Sequence, residues 1–247
     1  MPDPGTALYA SFCLFLGGLL KGVVGLGLPL VALPLLALKL PLAACVTTLI
    51  IPIFATNLTQ TFQRGLFAAT VRRFWPTLLV LIVCIIVSTN GLVLIREDVL
   101  YAIIGASLLT LTAATRLQPK LHVPPAQERW VGPVAGAVSG VLGGISSVYG
   151  PPLMLFLAAL RLPKHEFVAT ISLFFLAGHL ALSVGVASFG IASFGDFMLS
   201  AAAVIPTLAG LWLGQRVQVR LDERRFRLTL DAVYVATGAS FLLRALA

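Results

Sequence analysis

A single basic residue, Lys21, lies among glycines in an otherwise apolar stretch, GGLLKGVVGLGLPL at residues 17–30. An ammonium group offers one positive charge and three hydrogen-bond donors, which suit an anionic ligand. A charge inside a membrane segment is costly, so its presence there indicates a function. The alternative is that the Lys21 side chain runs along a helix to the membrane surface or lies in a wet vestibule.

A second glycine-rich stretch, SGVLGGISSVYGPPL at residues 139–153, carries hydroxyl groups instead of a charge. Ser146, Ser147 and Tyr149 could donate hydrogen bonds to an oxyanion, or could satisfy the backbone of their own turn. Glycines permit a tight turn and a close approach of the backbone, so we expect them to meet a ligand only through N–H groups. The glycine candidates of the two stretches are Gly22, Gly25, Gly27, Gly143, Gly144 and Gly150.

Amide and imidazole side chains supply the remaining candidates. Asn57 and Gln60 are three residues apart and therefore share one helical face, with Arg64 near the end of the same segment. These amides either bind a substrate or bridge neighbouring helices. His179 is the one group among the candidates that can titrate near neutral pH and so couple protons to a binding event. The alternative is that it is a hydrogen-bonded packing residue.

The composition places these candidates in a membrane protein. Of 247 residues, 59% are hydrophobic and 11% are charged, and the mean hydropathy is +1.01. Apolar runs recur along the chain at the length of membrane-spanning helices. Basic loops beside anionic lipid explain the net charge of +8 without nucleic acid. Motifs of metalloproteases, nucleotide-binding proteins and serine hydrolases are missing, so we expect no enzyme, cofactor or metal site.

Eight apolar segments predict an all-α integral membrane fold that the polar stretch RLQPKLHVPPAQER, residues 116–129, divides into halves. The predicted organisation is a first repeat, a cytoplasmic linker and a second repeat, at 1–116, 117–129 and 130–247. The predicted segments are 7–38, 43–63, 74–94, 99–116, 130–160, 166–188, 196–214 and 228–245.

Short matches relate the two halves. Gly22-x-x-Gly25 corresponds to Gly140-x-x-Gly143, and LKLP at 38–41 corresponds to LRLP at 160–163. At the offset of the second match, Asn57 falls opposite His179. Weak internal symmetry of this kind is typical of transporter folds.

Charge counting decides how the two longest segments, 7–38 and 130–160, run. If all eight segments cross, the 16 Lys and Arg residues other than Lys21 divide 9 to 7 between the two sides; if these two are re-entrant hairpins, they divide 13 to 3. Cytoplasmic loops carry the excess of basic residues. We therefore predict two inverted four-segment repeats, each with a broken or re-entrant first helix pair and three transmembrane helices. Both termini would face away from the cytoplasm.

Helix lengths and prolines add detail to the hairpins. The first hairpin is expected to hold half-helices of about 21 and 16 Å. Pro29, Pro151 and Pro152 suit the first turn of a second half-helix, where no N–H partner is needed. The N-terminal N–H groups of two such half-helices would favour an anion between the hairpin tips.

The pattern resembles the TauE/SafE-type sulfite exporters, also called the TSUP family of anion transporters. The resemblance rests on LKGVVGLGLPLVALPLL at 20–36, on SGVLGGISSVYGPPLMLFL at 139–157, and on the spacing between them. It implies a secondary transporter of sulfite or a small organosulfur anion such as sulfoacetate. It also implies coupling to protons or to the membrane potential rather than to ATP.

We therefore predict a multi-pass exporter of the inner, cytoplasmic membrane that holds its anion between the two glycine-rich tips. Another small anion, such as thiosulfate or a carboxylate, is the nearest alternative. From a different class, the chain could be an anion channel or a membrane subunit of a larger complex. Saturable, pH-dependent flux by the isolated protein would distinguish a carrier from both. The oligomeric state is left open.

Overall fold

The computed structural model describes residues 3–24, 28–62, 65–117, 122–218 and 223–246. The secondary-structure elements in these ranges are α-helices, which confirms the all-α part of the predicted fold. The helices are α1 (Pro4–Val24), α2 (Leu28–Leu36), α3 (Leu42–Phe62), α4 (Phe67–Ser88), α5 (Gly91–Leu94), α6 (Glu97–Leu117), α7 (Pro125–Ser146), α8 (Gly150–Ala159), α9 (Lys164–Ser188), α10 (Phe194–Ala202), α11 (Val204–Gln218) and α12 (Glu223–Ala245).

Two predicted segments are interrupted helices. The segment predicted at 74–94 begins earlier, at Phe67, and a turn at Thr89 and Asn90 separates α4 from α5. The segment predicted at 196–214 is divided at Ala203 into α10 and α11. Apolar periodicity cannot show such breaks, because the residues on both sides of a short turn stay apolar.

The first hairpin consists of α1 and α2, which fold back on one another. The hydroxyl group of Tyr9, near the start of α1, donates to the Leu35 carbonyl at the end of α2, at 2.6 Å. Gly17 lies against Ala32, midway along both helices. The expected length of the first arm was wrong, however, whereas that of the second was nearly right. At 1.5 Å per residue, α1 is about 31 Å long and α2 about 14 Å, because α1 begins at Pro4 and ends only at Val24.

The second hairpin consists of α7 and α8 and has the same unequal arms, about 33 and 15 Å. The amide of Val123, just before α7, donates to the Ala159 carbonyl at the end of α8, at 3.0 Å. Pro151 and Pro152 lie in the first turn of α8, as Pro29 lies in the first turn of α2, which confirms that prediction. Ser147 ends α7 in a left-handed conformation, with a φ of 62°.

The chain is a multi-pass membrane protein by the length and composition of its helices. Within the described ranges, four helices are long and apolar enough to cross a bilayer: Pro4–Val23, Phe67–Leu94, Ala169–Ser188 and Phe194–Val217. Shorter apolar helices occupy Leu42–Leu58, Gly150–Ala159 and Val235–Leu246.

Helices pair in the same way on both sides of the polar linker. The first helix of each half packs on a helix of the other half, α1 on α11 and α7 on α4. The remaining central pairs join α3 with α9 and α6 with α12. Each half therefore packs its first helix against the other half. The short helix of the first hairpin, α2, contacts α3, that of the second, α8, contacts α9, and α3 and α9 contact each other.

Small residues make the two outer pairings very close. A Cβ on Gly18 or Gly22 would collide with the carbonyl oxygen of Thr207 or Leu211 on α11. In the other half, the Cβ positions of Gly136 and Gly140 meet the carbonyl oxygens of Thr77 and Leu81 on α4, at 2.7 and 2.8 Å. Gly136 and Gly140 lie 118 residues after Gly18 and Gly22, and Thr207 and Leu211 lie 130 residues after Thr77 and Leu81. We call these contacts the two glycine seams.

Candidate functional site

A central cavity with an empty volume of about 500 Å³, its opening included, lies where the two hairpins meet α9. Both hairpins, and helices of both halves, contribute to its wall. The lining residues are Lys21, Leu28, Pro29, Ile53, Leu108, Ser147, Val148, Tyr149, Gly150, Pro151, Met154, Phe175 and His179.

Lys21 lies in the last turn of α1, beyond the point where α2 packs on α1, and only 2% of it is exposed. Its ammonium nitrogen Nζ donates to Oδ1 of Asn57 at 2.7 Å. The Asn57 amide is itself fixed, because Nδ2 donates to the Ile53 carbonyl one turn earlier at 2.9 Å. An ammonium group has three N–H donors, so two of them are left over by this contact. The alternative in which Lys21 extends to the membrane surface is therefore wrong.

No acidic side chain of the described ranges lies within 4 Å of the Lys21 ammonium. The ion pairs found there are remote from the cavity: Arg73 with Glu128 at 2.7 Å and with Glu166 at 3.9 Å, and Arg96 with Asp98. Buried charges in proteins are normally paired, because the free energy of hydration that a charge loses on burial must be offset by an opposite charge or by hydrogen bonds. The cavity wall therefore presents a buried basic group that has no acidic partner among these residues.

Tyr149 and His179 form a hydrogen-bonded cluster that also lines the cavity. The Tyr149 hydroxyl donates to the Phe175 carbonyl at 2.8 Å and also contacts Nδ1 of His179. Nδ1 of His179 lies 3.0 Å from the same carbonyl. Nε2 lies 3.5 Å from Oγ of Ser147.

Four of the predicted residues serve helix packing or the backbone of the second turn. The Ser146 hydroxyl donates to the Leu142 carbonyl at 2.6 Å and accepts from the Val148 amide at 3.2 Å, which is the backbone role that the sequence left open. Gly22 belongs to the first glycine seam. Gly143 makes room for the Tyr149 ring, and Gly144 packs against Ile85 and Ser88 of α4. None of these four lines the cavity.

Some predicted positions lie outside the described residues. These are Gly25 and Gly27 between α1 and α2, Arg64 after α3, and the side chain of Gln60. Of the other candidates, Ser147, Tyr149, Gly150 and His179 line the cavity together with Lys21, and Asn57 reaches it through Lys21.

Sequence reasoning missed the apolar part of the wall. Ile53, Leu108, Met154 and Phe175 line the cavity but carry no polar group that would single them out. Phe175 had one usable signal, since it lies one helical turn before His179 and therefore on the same face of α9. Leu108 had none, because α6 meets the cavity only through the tertiary fold.

The arrangement can bind a small anion but offers little for covalent chemistry. A buried ammonium, a serine hydroxyl and a neutral imidazole surround an apolar space, and the tyrosine hydroxyl is already engaged. Within the described ranges, no group of three or more His, Cys, Asp or Glu side chains could hold a metal ion.

Comparison with known proteins fits this geometry. A family model described as "Sulfite exporter TauE/SafE" matches residues 10–241, nearly the whole chain. No match was found among curated proteins or among solved structures. The match includes most of the first hairpin, all of the second, both glycine seams and every described cavity-lining residue. The chain therefore belongs to the TauE/SafE sulfite exporter family.

Proposed function

We propose that the protein is a secondary transporter that exports sulfite or a small organosulfur anion across the cytoplasmic membrane. The anion binds in the central cavity between the two hairpins. Lys21 supplies the charge, Ser147 supplies a hydroxyl group, and Asn57 and His179 hold the two sides of the site in place. Membership of a family of sulfite exporters supports the substrate class.

One observation carries the proposal: the Lys21 ammonium is buried at the cavity, and its described partner is a neutral amide. An anion that enters the cavity would compensate this charge and take up the two N–H donors that no described residue accepts from. The charge would then be satisfied only in the loaded state. Such an arrangement favours binding of a negative ion over permanent neutralisation by the protein.

We further propose that the two hairpins are re-entrant and that the halves form an inverted repeat. Three features support this: the second arms of both hairpins, which at about 14 and 15 Å are too short to cross a bilayer, the reciprocal packing of α1 on α11 and of α7 on α4, and the asymmetry of basic residues. In this arrangement the short arms α2 and α8 begin near mid-membrane and end at the surface from which their hairpin entered. Alternating access would come from movement of one half against the other.

Sulfite flux from liposomes that contain the purified protein tests the function. We expect saturable sulfite movement without ATP, dependent on a proton gradient or on membrane potential. Sulfate and sulfoacetate serve as competitors, and liposomes without protein set the background.

Each other outcome points to a different function. Flux that rises linearly with sulfite concentration would indicate a channel. Thiosulfate or acetate movement without sulfite movement would keep the carrier and change its substrate. No flux of any of these anions from folded protein would contradict the proposal and favour a subunit that needs a partner.

Cysteine labelling tests the topology separately. In a variant in which Cys13, Cys45 and Cys84 are replaced by alanine, we introduce Leu40→Cys between α2 and α3. The hairpin arrangement requires this thiol to react with an impermeant maleimide added from outside the cytoplasm. Reaction from the cytoplasmic side alone would show that the first hairpin crosses the membrane.

A further inference from the structure

Pro52 interrupts the backbone hydrogen bonds of α3 near the middle of the helix. A proline has no backbone N–H, so the carbonyl group of Thr48, one turn earlier, is without its usual helical donor. The proline ring also crowds that carbonyl. Inside a membrane such a group needs another partner from the protein, because the surrounding lipid offers none.

Ser200 of α10 supplies this partner from the other half of the chain. Its hydroxyl group donates to the Thr48 carbonyl at 2.9 Å and accepts from the Ile51 amide at 3.0 Å. Ser200 is fully buried, and α10 packs on α3. One serine side chain thus takes the place of a backbone donor, and it joins the two halves at the point where α3 lacks a hydrogen bond of its own.

The residues of the candidate site follow this point within two helical turns. Ile53, the next residue, lines the central cavity, and its carbonyl group accepts from the Asn57 amide at 2.9 Å. Asn57 in turn accepts from the Lys21 ammonium at 2.7 Å. A change in the direction of α3 at Pro52 would therefore move the partner of Lys21, while the part of α3 before Pro52 stays bonded to α10.

The equivalent helix of the second half has no such interruption. The match of LKLP with LRLP sets an offset of 122 residues, which takes Pro52 to Phe174. Phe174 lies in α9, a helix of 25 residues without proline. It is buried, with its ring centre 5.9 Å from that of Phe74 on α4. The two central helices therefore differ, since α3 has a point at which it can bend and α9 is continuous.

Building on the function proposed above, we propose that Pro52 and Ser200 form a hinge in α3 and that Ser200 is a positioning residue for transport. Ser200 holds the part of α3 before Pro52 on α10. The part after Pro52 bends during transport and carries Asn57 toward Lys21 or away from it. The hinge acts on one side of the cavity, because α9 on the other side is continuous.

Two variants at the proline test the hinge. Pro52→Ala and Pro52→Gly both restore a backbone N–H, but glycine keeps the helix easy to bend. In liposomes we expect Pro52→Ala to lower the maximal sulfite flux about tenfold and Pro52→Gly to lower it less than about threefold. The sulfite concentration at half-maximal flux should change less than about threefold in both, because the binding groups are unchanged. Equal flux in the two variants, whether lost or kept, overturns the hinge.

A comparison of stabilities tests the role of Ser200. Ser200→Ala leaves the Thr48 carbonyl and the Ile51 amide without this partner, so it should lower the unfolding temperature in detergent. In Pro52→Ala the restored N–H can donate to the Thr48 carbonyl, so the same change should lower the temperature only about half as much. Ser200→Ala should also lower the maximal flux, and Ser200→Thr, which keeps the hydroxyl group, should restore most of it.

Ser107→Ala is the matched control, because the Ser107 hydroxyl donates to the Ile104 carbonyl of its own helix at 2.8 Å. Its effect on the unfolding temperature should be the same with and without Pro52→Ala. Equal effects of Ser200→Ala in the two backgrounds overturn the compensation of Pro52 by Ser200. If Ser200→Ala folds only together with Pro52→Ala, the compensation is supported.

The flux measurements separate this inference from the function beneath it. A folded Ser200→Ala variant with unchanged maximal flux overturns the positioning role and leaves the transporter intact. If the natural protein moved no sulfite, the positioning role would fall together with the proposed function. The comparison of unfolding temperatures would then still decide whether Ser200 compensates for Pro52.

Discussion

The two hairpins share a frame but differ in the polar groups that they bring to the cavity. Both have a long first helix, a short second helix that opens with proline, and a glycine seam against a helix of the other half. The first hairpin brings Lys21, which is bonded to Asn57. The second brings Ser147 and Tyr149, which lie beside His179.

This difference shows that scaffold and site are set by different residues of the same helices. The seam positions coincide in both halves, because carbonyl oxygens of the neighbouring helix leave no space for a side chain there. The residue directly before the second seam glycine belongs to the interior instead and is lysine in one half and serine in the other. Close helix packing therefore explains why glycine recurs at the same spacing in the two seams, whereas the interior residue beside it differs in charge.

The largest loss of stability is expected when a methyl group is added at a glycine of either seam. Gly22→Ala and Gly140→Ala should each destabilise the fold by about 2–3 kcal/mol, because a methyl group would overlap a backbone carbonyl. Thermal unfolding in detergent measures this loss. Gly195→Ala is the control, since its Cβ would meet only the Ser193 hydroxyl at 3.5 Å. If one of the two variants kept its unfolding temperature and the other did not fold, the two seams would not be equivalent.

Removal of the charge should come next. Lys21→Met keeps most of the side-chain volume and should weaken sulfite binding about 100-fold, since hydrogen bonds to a charged group contribute about 1.5–3 kcal/mol each. Stability should change little, because a buried charge disappears together with its cost. The anion-dependent shift in unfolding temperature gives both quantities. Unchanged affinity would remove Lys21 from the site and leave the cavity without its anion ligand.

A carboxylate placed beside Lys21 should weaken sulfite binding nearly as much as the loss of the lysine. Asn57→Asp places a carboxylate where Oδ1 of Asn57 now accepts at 2.7 Å, so the substrate must compete with it. We expect affinity to fall about 30-fold while the unfolding temperature rises, whereas Asn57→Ala should lower both. The estimate follows from the strength of a buried charge pair relative to a neutral hydrogen bond. Equal losses in the two variants would show that Asn57 acts through packing alone.

The smallest effect is expected in the neutral half. Tyr149→Phe removes the hydroxyl that donates to the Phe175 carbonyl, at a cost of about 1 kcal/mol in stability. Affinity for sulfite should change less than about threefold, because His179 still contacts the same carbonyl. Unfolding temperature and anion titration are measured on the same sample. A loss of sulfite affinity as large as that of Lys21→Met would show that the tyrosine is a ligand. Both hairpins would then contribute equally to binding.

The sequence by itself determined the helical class, most helix positions and the two hairpins as interrupted segments. Apolar runs and glycine-proline punctuation depend on local chemistry, so they are readable without a fold. Lys21, Asn57, Ser147, Tyr149 and His179 were found in the same way, because polar groups are rare in such a chain. Their alternatives stayed open, since a hydroxyl near a turn can serve either the turn or a ligand.

Only the tertiary structure decided which residues share a space. It assigned Ser146 to its own turn and Ser147 to the cavity, although the two are adjacent. It brought Leu108 and Met154 to the wall from helices far apart in sequence. It also left Lys21 with a neutral partner among the described residues, a fact that depends on every helix around it. Burial and charge compensation are properties of the packed assembly, so no local pattern could supply them.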